Sequence, residues 1–242
     1  MILCIETATS VCSAALCSGE GVVSLKESAD QRLHASMLTV YIEELFKETK
    51  ISVADLKAVA VSKGPGSYTG LRIGVSVAKG IAFGASLPLI GIETTLSMTI
   101  GLIQKMGEID ENTIFCPMID ARRMEVYYAL YDYCGKQIKE ISADIITESS
   151  FDKIPEKYKI IFFGDGAAKC GAIIKRRNID FYDNFNLSAA FMYKPAKEAF
   201  ELERFEDIAY FEPFYLKDFI ATTQRKNIFG EISAKSVTDK NK

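Results

Sequence analysis

Two turns in this chain hold residue types that suit the binding of an anion. The first is Lys63-Gly64-Pro65-Gly66-Ser67-Tyr68-Thr69-Gly70-Leu71-Arg72-Ile73-Gly74, between an apolar run at residues 56–62 that reads as a buried strand and a segment at 71–86 of helical length. Gly64 and Gly66 admit the close approach of another group, Pro65 fixes φ, and Ser67 or Thr69 can cap the helix. The N–H groups at that helix start, together with the positive end of the helix dipole, favour a phosphate. The same residues also make a tight turn with a good N-cap and no ligand, and the spacing alone leaves both readings open. The second turn, Thr7-Ala8-Thr9-Ser10, suits a hairpin wrapped around a phosphate or a plain hairpin. The nucleotide-binding candidates are thus Thr7, Thr9, Ser10, Gly64, Gly66 and Ser67. An ATP-dependent phosphotransferase built on them also needs a carboxylate for magnesium and a base, and Glu6 and Asp120 are the placed candidates. The acidic corner Gly164-Asp165-Gly166 is too short to serve as a phosphate loop by itself.

Other chemistry is bounded by counting. His34 is the only histidine, so no two imidazoles can share a metal, and neither a Ser-His-acid nor a Cys-His arrangement has a spare base. No catalytic residue and no metal ligand is assigned. Cys4, Cys12, Cys17, Cys116, Cys134 and Cys170 form no C-x-x-C pair and read as reduced packing residues. A formal charge of −3 gives no global attraction to nucleic acid, so an RNA contact requires a local basic patch or a partner protein. The apolar opening at residues 2–5 is too short for a signal peptide or a membrane span, and a cytoplasmic protein is expected.

The elements that must position these residues follow from periodicity. Three short strands at residues 2–7, 11–17 and 22–26 precede a helix at 34–49, whose apolar residues cover more than half its circumference. That width predicts burial between two layers or a pairing surface. The helix after the glycine corner alternates Ile73, Val75, Val77, Ala78, Ile81 and Ala82 with Gly70, Gly74, Gly80 and Gly84. Each helical glycine costs about 1 kcal/mol against alanine, which asks for a close-packing reason. A strand at 87–92 and a helix at 94–106 follow this β-β-β-α-β-α order. After a linker at 107–112, a hairpin turning at Asp120-Ala121-Arg122-Arg123 opens a second unit. That unit includes a strand at 159–163 and helices expected at 167–175 and about 188–204. The division expected is 1–109 and 110–242, the second unit smaller and degenerate, with the 188–204 helix able to pack back on the first. The tail from Lys217 carries six Lys or Arg against three Asp or Glu and reads as a solvated end.

The segments Ile5-Glu6-Thr7-Ala8-Thr9-Ser10-Val11, Gly64-Pro65-Gly66-Ser67-Tyr68-Thr69-Gly70-Leu71-Arg72-Ile73-Gly74, Ile119-Asp120-Ala121-Arg122 with Glu125-Val126-Tyr127, and Glu212-Pro213-Phe214-Tyr215-Leu216 together resemble the TsaB (YeaZ) family of tRNA threonylcarbamoyladenosine biosynthesis proteins. The resemblance implies an α/β fold of the actin-like, Hsp70-like and sugar-kinase-like (ASKHA) class, two related domains with mixed sheets flanked by helices. It implies a noncatalytic partner of the transferase TsaD, joined by the ATPase TsaE, acting on the adenosine beside the anticodon of tRNAs that read codons beginning with A. The transferase's metal site uses His-x-x-x-His, whereas here His34 is followed by Leu38. Pairing through the N-terminal domains is expected to use His34, Met37, Tyr41 and Leu45 with Leu71, Gly74, Val75 and Ala78, and self-pairing to a homodimer is expected when the partner is absent. The tRNA is met through the complex, and no cofactor of its own is expected, with a nucleotide at the partner interface left open. The alternative is an ATP-binding phosphotransferase of the sugar-kinase-like class.

Overall fold

The computed structural model describes residues 1–19, 21–29 and 34–216, apart from the side chains of residues 34–36. The expectations for the His34 side chain and for the tail after residue 216 lie outside the described residues. Strands β1 (Ile2–Glu6), β2 (Cys12–Ser18) and β3 (Gly21–Ser28) pair antiparallel in sequence. Helix α1 (His34–Thr49) then carries the chain over to β4 (Ala58–Gly64), and α2 (Tyr68–Gly84) to β5 (Leu89–Glu93), both parallel to β1. The sheet order is β3-β2-β1-β4-β5.

The second sheet repeats this plan. Strands β6 (Thr113–Asp120), β7 (Glu125–Tyr131) and β8 (Gln137–Ile145) pair antiparallel, and β9 (Lys159–Phe163) and β10 (Ile179–Tyr182) add in parallel on the other side of β6. Its order, β8-β7-β6-β9-β10, is that of the first sheet with each strand replaced by its counterpart. Two related units with mixed sheets flanked by helices make the actin-like, sugar-kinase-like fold.

β1 is buried along its whole length because both faces of its sheet are covered. Leu3 and Ile5 join Leu38, Leu45, Val75, Ala78 and Ala82 from α1 and α2 on one side. Ile2 and Cys4 meet Ala189, Met192 and Ala196 on the other. A strand buried on both faces reads as a continuous apolar run rather than an alternating one. Helix α3 (Thr94–Met106) serves the second sheet, where Met98 and Leu102 pack with Phe115, Tyr131 and Phe163.

Several boundaries differ from the sequence reading. The helix after the glycine corner starts at Tyr68, because Ser67 caps it by accepting from the Gly70 amide at 3.2 Å. No α-helix forms at 167–175, only a 3₁₀ turn at Ala168–Cys170. Gly164 and Gly166 there press against the backbone of Met118 and Ile119, and Gly171 ends the turn after one cycle. The segment near 188–204 is a 3₁₀ turn, Ala189–Met192, followed by the shorter helix α4 (Tyr193–Glu201), and both pack on the first sheet. Cys134 is exposed in the β7–β8 turn rather than packed, while the other five cysteines are buried and reduced.

Candidate functional site

The two anion-type turns are packed on each other. Thr7 is buried, and its Oγ1 donates to the carbonyl of Gly70 at 2.8 Å. Cβ atoms at Gly70 and Gly74 would collide with the Thr7 carbonyl and hydroxyl, so these helical glycines exist to let the turn approach. Gly66 lies against the Ala8 carbonyl in the same way, and the Ser67 amide donates to that carbonyl at 2.7 Å.

A later segment of the chain closes the corner from outside. Residues 206–216 run along α2: the Glu206 amide donates to Leu89 O at 2.8 Å, Phe211 enters the core, and the Phe214 amide donates to Lys63 O at 2.6 Å. The Phe214 carbonyl lies where a side chain on Gly64 would have to go, and Gly64 has φ +113°. Lys79 Nζ donates to the carbonyls of Ala209 at 3.3 Å and Phe211 at 2.9 Å. Further along, Arg72 Nε donates to the Tyr215 hydroxyl at 3.3 Å and the guanidinium lies over the Tyr68 ring, 4.2 Å from its centre. Thr7 and Gly64 are thus buried against the chain's own residues, and Gly66 is half-buried against Ala8. Ser67 remains exposed as the N-cap, and Thr9 and Ser10 face a cleft.

That cleft runs between residues 9–11 and Met98 on one side and Gly164, Asp165, Phe185, Asn186 and Leu187 on the other. Its enclosed part is about 20 Å³, room for a single water. Below it, Glu6 is fully buried at the end of β1. Its Oε1 accepts from the Ala8 amide at 2.6 Å and from Ser62 Oγ at 2.8 Å, while Oε2 has no partner. Burial pushes its pKa up to about 7, against the opposing effect of those hydrogen bonds. A half-neutral carboxyl beneath a closed turn does not suit a magnesium ligand. Asp120, the other candidate, is engaged as well: its Oδ1 accepts from the Arg122 amide at 2.8 Å and from Lys169 Nζ. Partial burial raises its pKa, and the Lys169 and Arg122 interactions outweigh that and hold it below the usual range. Among the described residues no three His, Cys, Asp or Glu converge on a metal position, and no helix is long and apolar enough to cross a membrane.

The pairing candidates separate into two sets. Leu45, Leu71, Gly74, Val75 and Ala78 are buried in this chain's own core, and Gly74 is covered by Thr7. They present nothing to a partner, which corrects the expected interface at five positions. The wide apolar arcs of α1 and α2 are absorbed by the sheet, by each other and, on α2, by residues 206–216. Met37 and Tyr41 are half-buried at the edge. The outward face consists of Val40, Ser76, Gly80, Phe83 and Gly84, with Phe83 78% exposed. A Cβ on Gly80 or Gly84 meets nothing within 4 Å, so the packing that explains Gly70 and Gly74 does not explain these two. The repeat Ser76, Gly80, Gly84 at every fourth residue was the sequence signal for this face.

Comparison with known proteins places the chain. A family model described as TsaD, tRNA N6-adenosine threonylcarbamoyltransferase, matches residues 21–229. The chain belongs to the TsaD family. Within it the similarity is to TsaB, also called YeaZ. The tRNA threonylcarbamoyladenosine biosynthesis protein TsaB of Escherichia coli K12 is 39% identical over 130 residues, 54% of each chain. TsaB of Haemophilus influenzae is 34% identical over 128 residues, 53% of this chain and 52% of that one. The chain thus spans about half the length of these curated relatives. YeaZ from Pseudomonas aeruginosa superposes with a TM-score of 0.76 at 22% identity, covering 88% of this chain and 99% of that one, which speaks to the fold. In this TsaD-family chain the fourth residue after His34 is Leu38, fully buried against the first sheet.

Proposed function

We propose that this TsaD-family chain is a noncatalytic subunit in the placing of threonylcarbamoyl on the adenosine beside the anticodon of tRNAs reading codons beginning with A. It pairs with a TsaD-type transferase, the assembly recruits a TsaE-type ATPase, and the chain pairs with itself when the transferase is absent. The observation that carries this reading is the corner closed from within: Thr7 is bonded to Gly70, Ala8 covers Gly66, and Phe214 covers Gly64. The single histidine supports the same reading, because two ligands four residues apart cannot be supplied.

The pairing surface is the outward face of α1 and α2, with Met37, Val40 and Tyr41 opposite Ser76, Gly80, Phe83 and Gly84. Glycines without internal neighbours and a largely exposed Phe83 suit a close helix-on-helix contact with another chain. Gly80→Arg tests this directly, since arginine is a good helix former and the site is open. Co-purification with the transferase is expected to be lost while the variant remains folded by circular dichroism. A complex of unchanged affinity would refute the surface. The phosphotransferase alternative predicts ATP-dependent phosphate release by the isolated chain, and none is expected.

A further inference from the structure

The turn between β6 and β7 keeps two arginines where the backbone favours glycine. Arg122 and Arg123 have φ of +70° and +52°, successive left-handed residues in a hairpin connection whose natural occupants are Asn, Asp and Gly. The backbone that carries them is fixed at several points. The Arg122 amide donates to Asp120 Oδ1 at 2.8 Å, the Asp120 amide donates to Asp165 Oδ1 at 2.9 Å, and Glu125 N donates to Arg122 O at 3.2 Å. Lys169 Nζ binds the carbonyls of Arg123 at 2.9 Å and Glu125 at 2.7 Å. Both arginines are exposed, and among the described residues neither guanidinium has a hydrogen bond or an ion pair; of the carboxylates around the turn, Asp120 is engaged by Lys169 and Asp165 by the Asp120 amide.

We propose that the Arg122–Arg123 turn binds the phosphate backbone of RNA. Two guanidiniums on a pre-set backbone offer planar, bidentate donors in the geometry phosphate oxygens take, so that the side-chain rotamers alone are left to order on binding. The chain as a whole is acidic, so a phosphate contact has to be a local feature of this kind. The choice of RNA over an acidic protein surface rests on the proposed role in tRNA modification.

The test uses the full chain and fluorescently labelled unfractionated tRNA, with binding followed by anisotropy across a salt series. For R122G/R123G the slope of log K against log salt should become shallower by about 1.5, two phosphate contacts at roughly 0.7–0.9 each. R122K/R123K should retain most of the slope. The unfolding temperature of the glycine variant should be no lower than that of the wild-type chain, because glycine adopts this backbone without strain, so a loss of binding is not a loss of fold. An unchanged slope in the glycine variant, or no tRNA binding by the wild-type chain, overturns the proposal. Loss of ATP binding with tRNA binding intact assigns the turn to a nucleotide and overturns it equally. Arginine-dependent tRNA binding by a chain that fails to pair with the transferase would refute the pairing role and leave this contact standing.

Discussion

Two alanine substitutions in α2, six residues apart, should change stability in opposite directions. At Gly80 the new methyl meets nothing within 4 Å, so the effect is that of helix propensity, a gain of about 1 kcal/mol. For a chain of this size that raises the unfolding temperature by about 2–4 °C. At Gly74 the same propensity gain is present, but the methyl collides with Thr7 Oγ1, which is buried and donates to Gly70 O at 2.8 Å. Accommodating it requires Thr7 to move, which costs about 1–3 kcal/mol in overpacking and a further ~1–3 kcal/mol if the buried hydrogen bond is lost. The net expectation is destabilisation by about 1–3 kcal/mol, taking the lower half of that summed cost less the propensity gain. Urea unfolding followed by circular dichroism, at dilution where self-pairing is negligible, gives both values. At higher concentration the Gly80→Ala gain should shrink, because pairing stabilises the folded chain by mass action and the methyl obstructs it. A neutral or stabilising Gly74→Ala would show that the turn does not press on the helix, and a costly Gly80→Ala in the dilute chain would show that the outer face is already packed.

Glu6 predicts a pH dependence with a definite sign. Its folded pKa of about 7 lies above the ordinary 4.5, so the unfolded chain releases a proton that the folded chain retains. Stability should therefore fall as pH rises from about 4.5 to 7 and level off above, by about 3 kcal/mol in all; Glu6→Gln should remove most of that slope, and an unchanged slope would show that Glu6 is not its source. The thiols give a simpler check. Cys134 alone is exposed, and burial pushes the pKa of Cys12 up to about 11, so a thiol reagent should modify one cysteine in the native chain and the remaining five only on unfolding. Rapid modification of two or more native thiols would contradict the burial.

The parts of the fold that the sequence made legible are those decided by local chemistry. Of the two caps the sequence offered, Ser67 and Thr69, Ser67 is the one used, and N-capping needs only the residue and the three that follow. The β-β-β-α-β-α order follows from runs such as residues 2–6 and 58–62, whose burial on both faces writes itself as unbroken apolar sequence. What misled was surface with no local owner. Leu45, Val75 and Ala78 read as a pairing face because one sheet cannot cover so much apolar helix, and part of the cover comes from Phe211, more than 120 residues downstream. The contact of Phe214 with Gly64 was hidden for the same reason, since no spacing rule near Gly64 announces it. β8 and β10 escaped because they are edge strands, β8 with exposed, charged positions and little alternation and β10 only four residues long.

The return of residues 189–216 to the first sheet also fixes an order of events during synthesis. Ile2, Cys4, Ala58, Ala60, Ile90 and Ile92 form a face that Ala189, Met192 and Ala196 cover. On the ribosome that face stands bare until residues 189–196 have emerged, so the strands made before them form an incomplete layer with an adhesive side. A chaperone acting on the nascent chain has its natural target there, and truncations upstream of residue 189 should be insoluble.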